Sequence, residues 1–320
     1  MLLTFKPVRS GQKMKTIILC WLFSCLSLIG FSVKASVISS TVGCNVANLT
    51  LTTVKYVDSN VNLLSQPYHA TECAYYYGND DAGGVSSPHP NIGQLNDGLL
   101  NGEAGFNYFH FIEPKDLQIL DKDNLSDDPG WIHLANLDEN FSPNYSNIGP
   151  APQGDGTTID GNSGGNSTAL EDLIRITFAC TNGSTGDCTA GTWNLNILDI
   201  NGLVSVVQSL LGRSAVFDQL AVSLKSRSLP GGQHESIIYN IDFKDIFAAE
   251  NNPQALNLLT PYNLGGTFNT SDIGGKGISH INVWARDPAQ SMEISTPASI
   301  SIALLALAWI LGLPRNFKSY

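Results

Sequence analysis

The sequence has little positive charge outside its two ends. Lys and Arg number 17 against 28 Asp and Glu, and charged residues make up only 14% of the 320 residues. Between residues 36 and 297, ten basic residues stand against all 28 acidic ones, a formal charge of −18. An acidic surface repels nucleic acid and anionic lipid. We therefore expect no nucleic-acid partner and a domain exposed to water outside the cytoplasm.

Catalytic motifs are also missing. The sequence contains no His-Glu-x-x-His and no phosphate-binding glycine loop. Its six histidines are scattered. Its glutamates are too dispersed to nominate a glycosidase pair, which needs two carboxyls at a fixed separation. We expect no catalytic residue and no enzymatic activity.

The first 35 residues have the order of a secretory signal. An apolar run from Ile17 to Val33 follows four basic residues, Lys6, Arg9, Lys13 and Lys15. The run closes on Val33-Lys34-Ala35, which presents small side chains to a signal peptidase. Because Met14 begins a more ordinary signal, an over-extended start over residues 1–13 is one interpretation of this end. We expect a signal peptide over 1–35, signal peptidase as a partner, and a mature chain that begins at Ser36.

A second apolar segment occupies residues 300–313 (ISIALLALAWILGL), and the basic end 314–320 follows it with Arg315 and Lys318. It is short against the roughly 20 residues of a spanning helix, but tilt and bilayer thinning accommodate such a segment. The basic end would stay cytoplasmic. We expect a C-terminal membrane helix; a buried core helix and a glycolipid-anchor signal are the alternatives.

A short motif precedes this segment at residues 294–299. It is small and extended, and it contains Ser295, Thr296, Pro297 and Ala298. Because the residue before a proline is held extended, the motif is suited to a processing enzyme. We expect residues 291–320 to act as one sorting signal, with the segment tethered transiently to the inner membrane and then cleaved near Thr296-Pro297.

Four cysteines remain once the signal is removed with Cys20 and Cys25: Cys44, Cys73, Cys180 and Cys188. An even number in an oxidising compartment predicts disulfides. Three pairings are open, and sequence proximity favours Cys44–Cys73 and Cys180–Cys188. Zinc is the alternative, but no CxxC or clustered histidine accompanies these cysteines.

Residues 36–290 predict one mainly β domain. Short runs of β-branched and aromatic residues alternate with polar turns, which favours half-buried strands. The predicted strands are 48–57, 106–112, 173–179, 192–198, 216–225, 236–243 and 278–285. One short helix is expected over Leu203–Leu211, capped by Asn201 and ended by Gly212, and 142–168 is expected to be a flexible loop. The pattern indicates an antiparallel β-sandwich, and a jelly roll also fits.

The tail resembles the PEP-CTERM sorting signal of Gram-negative bacteria. That pattern is a Pro-Glu-Pro-like motif, a short membrane segment and a basic end; here Thr296-Pro297-Ala298 stands in place of Pro-Glu-Pro. The resemblance extends inward through elements that many such proteins carry in this order: Cys73 with Gly78-Asn79-Asp80, Gly191-Thr192-Trp193, Leu220 to Lys225, Tyr239-Asn240-Ile241, Gly266-Thr267-Phe268 and Ile278 to Trp284.

The resemblance implies an exosortase-like sorting enzyme as a partner and association with the cell surface or an exopolysaccharide matrix. It implies no catalytic residue.

Two acidic segments are candidate calcium sites. Asp121 and Asp123 lie in a stretch dense in oxygen ligands, and Asp80 and Asp81 lie in a second. Neither is an EF-hand, because Leu125 occupies a ligand position in the first and no terminal Glu follows. Solvated turns are the alternative for both. No other cofactor is expected.

Three functions compete on this sequence. A surface or biofilm-matrix protein leads. A carbohydrate-binding module is second, and exposure of Trp131, Trp193 or Trp284 would favour it. A secreted hydrolase is third, and it would need two convergent carboxylates or a Ser-His pair.

Overall fold

The computed structural model describes residues 43–77, 93–103, 106–120, 125–148, 168–183, 187–211, 217–227 and 235–287. The predicted signal peptide, the sorting motif, the membrane segment and the basic end lie outside these residues. Within the described part of the chain, no helix is both long and apolar enough to cross a membrane.

The described residues form thirteen strands. Their bounds are β1 Leu49–Tyr56, β2 Tyr68–His69, β3 Glu72–Tyr77, β4 Trp131–Leu137, β5 Pro143–Tyr145, β6 Asn147–Ile148, β7 Thr168–Ala169, β8 Ile174–Asn182, β9 Ala190–Ile197, β10 Gln219–Ser226, β11 Glu235–Asp242, β12 Tyr262–Asn269 and β13 Ile278–Arg286.

The strands build two antiparallel sheets and one small ribbon. The first sheet has the order β2-β1-β12-β9-β8, the second has the order β3-β11-β10-β13-β4-β5, and β6 pairs with β7. The inner faces of both sheets contribute to one apolar core. The prediction of a mainly β, antiparallel sandwich is confirmed.

The first sheet buries one face only. Along β8, Ile174, Ile176 and Phe178 are buried while Arg175 and Thr177 are exposed. Successive side chains of a strand point to opposite faces, so this alternation packs the apolar set inward and leaves the polar set in water.

The second sheet is covered on both faces. All eight residues of β10 are buried. Its outer face carries a second apolar cluster, in which Leu99, Leu100, Phe106, Phe111 and Ile112 lie against Ala74, Trp131, Ala221, Ile238 and Trp284. The side chain of Asn101 anchors this cover, because it donates to the carbonyl oxygen of Trp131 at 2.7 Å and accepts from its N–H at 3.0 Å.

The strand predicted over 106–112 is wrong. The segment belongs to that cover and turns into a 3₁₀ helix at Tyr108–His110. Asn107 starts the turn by accepting a hydrogen bond from the N–H of Phe109. The segment resembles a strand in sequence because it is rich in aromatic residues, but only Phe106, Phe111 and Ile112 are buried, and they pack on a sheet instead of joining one.

Two α-helices are described where one was expected. The predicted helix is present as α1, Ile200–Leu211. Its cap was misplaced: Asp199 accepts a hydrogen bond from the N–H of Gly202, and Asn201 lies inside the helix. Gly212 lies outside the described residues. The second helix, α2, spans Phe243–Glu250 and is capped by Asp242, which accepts from the N–H of Lys244 at 2.7 Å.

The predicted loop 142–168 is partly regular. β5 extends the second sheet by pairing with β4, and β6 pairs with β7 across the segment. Residues 149–167 lie outside the described part. Strands β3, β4 and β12 were not predicted either, although all three lie within the two main sheets.

Candidate functional site

Both disulfides favoured by sequence proximity are present, Cys44–Cys73 and Cys180–Cys188. The first joins the segment that leads into β1 of the first sheet to β3 of the second, so it crosses the sandwich. The second closes the β8–β9 hairpin. Such bonds form and persist in oxidising environments, which indicates a compartment outside the cytoplasm.

The other predicted site residues belong to the sorting motif, the basic end and the two acidic segments. Ser295, Thr296, Pro297, Ala298, Arg315 and Lys318 lie outside the described residues, and so do the calcium candidates Asp80, Asp81, Asp121 and Asp123. Among the residues that the structure does describe, no group of three or more His, Cys, Asp and Glu is arranged to hold a metal ion.

The three tryptophans that would favour a carbohydrate-binding module are buried. Trp131 and Trp284 belong to the cluster beneath the outer cover, and Trp193 lies in the core between the sheets. A sugar ring stacks on an exposed aromatic face, so none of the three offers a platform. This observation counts against that alternative.

A Ser-His contact is present on β4. The Nδ1 of His133 lies 2.6 Å from the Oγ of Ser146, and its Nε2 lies 3.1 Å from the Oδ1 of Asn282. Asn136 also donates to that Oδ1, at 2.8 Å, which marks it as an acceptor. The Nε2 of His133 therefore carries the proton, and the Ser146 hydroxyl donates to Nδ1.

This contact is structural. His133 is buried, and burial lowers its pKa to about 4. An imidazole with so low a pKa is a weak base at neutral pH, far from the value that suits a general base. The arrangement satisfies a histidine enclosed beside the Trp284 ring, whose centroid lies 4.6 Å away.

Two carboxyls with raised pKa values lie near the end of the second sheet. Burial, together with the nearby Asp242, raises the pKa of Glu72 to about 7. Burial and the nearby Asp218 raise the pKa of Asp242 to about 6. Asp242 is committed to capping α2, and the Oε2 of Glu72 is enclosed without a hydrogen bond. Neither residue lines the apolar cavity between the two sheets. We therefore interpret the raised pKa values as a contribution to folding stability and not as the mark of a functional site.

A fully buried ion pair holds the outer cover at this same end. The Nη1 of Arg286 donates to Asp218 at 2.9 Å, and Lys244 contacts the same carboxylate oxygen at 2.7 Å. The Nε and Nη2 of Arg286 donate to the carbonyl oxygens of Pro129 and Asp116, respectively. Arg286 thus joins β13 to the segment that covers the second sheet.

The described residues enclose one prominent cavity, of about 380 Å³, which we call the end cavity. It lies between the two sheets at the end where α1 and α2 pack. The first sheet contributes Ile174, Leu195, Ile197, Tyr262 and Leu264, the second contributes Leu134, Leu220 and Ala285, and the helices contribute Leu203, Val204, Phe243 and Phe247. The wall is almost entirely apolar and has no charged side chain.

The rim of the end cavity is a loop, residues 257–261, whose polar groups are used internally. The Oδ1 of Asn257 accepts from the N–H of Leu259 at 2.9 Å and from the hydroxyl of Thr260 at 3.1 Å. The Tyr262 hydroxyl accepts from the N–H of Asn257 at 3.0 Å and donates to the carbonyl oxygen of Ala255 at 2.8 Å. The loop is therefore held in place and turns Leu258 and Leu259 toward the cavity.

The sequence carried weak signals of this site. Phe243 and Phe247 are spaced by four residues, the spacing of one helical face. Leu258 and Leu259 are apolar within a turn-rich loop, where polar residues are usual. Neither signal identifies a cavity, because its walls come from elements far apart in the chain.

Comparison of the chain with family models, with curated proteins and with solved structures gave no match.

Proposed function

We propose that this protein is an exported, non-catalytic β-sandwich protein that is displayed at the cell surface or held in an exopolysaccharide matrix. The inner membrane tethers it transiently through the 291–320 segment, and an exosortase-like enzyme cleaves the tether. Two disulfides in one domain carry the proposal, because they match the oxidising compartment to which the N-terminal signal would deliver the chain.

The acidic composition of residues 36–297 supports the same function. A net charge far from zero keeps an extracellular protein soluble and disfavours binding to anionic surfaces. Trp131, Trp193 and Trp284 are buried and His133 is enclosed and weakly basic, so none of these four residues supports the carbohydrate-binding or the hydrolytic alternative.

Processing of the tail is the direct test. In the producing bacterium, the exported protein should begin at Ser36 and should lack residues beyond the motif at 294–299. Mass spectrometry of both termini measures this. Recovery of an intact C-terminal peptide through Tyr320 from surface-exposed material would show that the tail is a permanent anchor.

Two variants sharpen this test. Replacing Pro297 by Ala should leave an uncleaved, membrane-bound form, because the extended backbone that the processing enzyme grips is lost. The matched control is Pro253→Ala at an exposed site of the domain, which should be processed normally. Deleting 298–320 should leave folded protein in the periplasm. If the deleted form still reached the surface, sorting would not depend on the tail.

A further inference from the structure

We propose that the end cavity binds one unbranched alkyl chain, the acyl part of a fatty acid or of a lipid. The inference does not depend on export or on tail processing. It rests on the size, the wall, the shape and the opening of the cavity.

Size and wall chemistry define the ligand class. A cavity of about 150 Å³ lined by apolar side chains holds benzene and stays dry otherwise. The end cavity measures about 380 Å³, and its wall is built mainly from Leu, Ile, Val and Phe. Water inside would find few hydrogen-bond partners, so an apolar ligand is favoured over water.

The position of the cavity between two stacked sheets favours an alkyl chain over a fused ring system as the ligand. Leu195 and Leu264 of the first sheet lie on one side, and Leu220 and Ala285 of the second lie on the other. Stacked sheets are separated by about 10 Å, which leaves room for one layer of side chains. A flexible alkyl chain has the thickness of such a layer, whereas a fused ring system is wide in two directions.

The opening sets the direction of entry. Leu259 and Val204 line the cavity and are also 72% and 36% exposed. The cavity therefore reaches solvent between the rim loop and α1. Because no charged side chain lines it, the chain enters tail first and its polar head remains in water. The rim is preformed by Asn257 and Tyr262, which lowers the ordering cost of binding.

The test uses the full protein, purified without detergent, and the fluorescent, unbranched polyene fatty acid cis-parinaric acid as the probe. One probe should bind per protein, and decanoate should displace it. Ala285→Leu places three further carbons in the cavity and should weaken probe binding by about tenfold, the equivalent of about two buried methylene groups. The matched control is Ala249→Leu on the exposed side of α2, which should bind normally.

A second pair of variants covers the case in which Ala285→Leu fails to fold. Leu259→Asp changes an exposed rim residue and should weaken binding by about threefold or more. Val61→Asp makes a comparable change at a site that is 66% exposed and does not line the cavity, so its affinity should equal that of the wild type.

Flotation with phosphatidylcholine vesicles distinguishes two sources of the alkyl chain, a free amphiphile and a lipid that is still in a membrane. Displacement by decanoate without flotation of the protein indicates a free amphiphile. Flotation that Leu259→Asp abolishes indicates an acyl chain still in a membrane. The proposal is overturned if decanoate displaces no probe and flotation is absent, or if Ala285→Leu and Leu259→Asp bind the probe as tightly as their controls Ala249→Leu and Val61→Asp.

Discussion

Replacing Glu72 by Gln should stabilise the protein at alkaline pH and leave it unchanged in acid. The carboxyl has a pKa of about 7 in the folded protein against an ordinary value of 4.5, mainly because of burial and then because of the Asp242 carboxylate. The folded protein therefore holds this proton more tightly than the unfolded chain. The stability that results is complete below pH 4.5 and is lost as the pH rises through 7.

The magnitude follows from the two pKa values. A tenfold change in proton affinity corresponds to about 1.4 kcal/mol, so the full difference corresponds to about 3 kcal/mol. Because Glu72 is only half-buried, screening by water reduces the expected effect to about 1–2 kcal/mol. Glutamine keeps the shape of the side chain and cannot ionise, so Glu72→Gln should gain this amount at pH 8.

Urea unfolding of the oxidised protein at pH 4 and pH 8 measures the effect. Each comparison is made between variant and wild type at one pH, because His133 contributes an opposite trend: its lowered pKa costs stability as the pH falls from 6.5 toward 4. Glu171→Gln at an exposed site is the matched control and should have no effect at either pH. A Glu72→Gln variant that is less stable than the wild type at pH 8 would mean that the carboxylate has a favourable partner, and the reasoning would fail.

Three further changes test the packing. Replacing Cys44 and Cys73 together by Ser should cost about 3–4 kcal/mol, the chain entropy of a loop closed over a separation of 29 residues, measured by urea unfolding. Arg286→Met should cost about 3 kcal/mol by leaving the buried Asp218 short of a partner, and adding Asp218→Asn should recover part of that loss in thermal unfolding. Gly266→Ala should cost about 1–3 kcal/mol or prevent folding, because its methyl group would overlap a carbonyl oxygen of β1 and the indole of β9; soluble yield and melting temperature report it.

The strands that the sequence predicted correctly carry one of two signals, alternating burial or a residue composition that favours strands. In β8 and β9 one face is buried and the other meets water, so apolar and polar residues alternate and the period is readable. β10 is buried on both faces, but its β-branched and aliphatic residues still favour a strand.

The strands that were missed break that pattern for local reasons. β12 contains Gly265 and Gly266, which lower strand propensity. At Gly266 a side chain would collide with the neighbouring strand, so packing requires glycine there. The same glycine lowers the strand propensity of the segment, and the strand is therefore missed in the sequence. β4 carries His133 and Asn136, polar residues that serve a buried hydrogen-bond network on its covered face. From the sequence alone, a polar residue of such a network is not distinguished from a polar residue of a solvent-exposed turn.

The candidate site lay beyond sequence reasoning for a different reason. The disulfides were predictable because each pair is close in the chain and the chemistry of cysteine is specific. The end cavity is assembled from residues as far apart as Leu134 and Ala285, and each wall residue is an ordinary apolar residue of its own element. What makes them a site is that α1, α2 and a loop held by Asn257 stand at one end of the sandwich and leave the space between the sheets unfilled. An unfilled volume is a property of the packed structure, so no local sequence pattern encodes it, and a single larger side chain at Ala285 would reduce it.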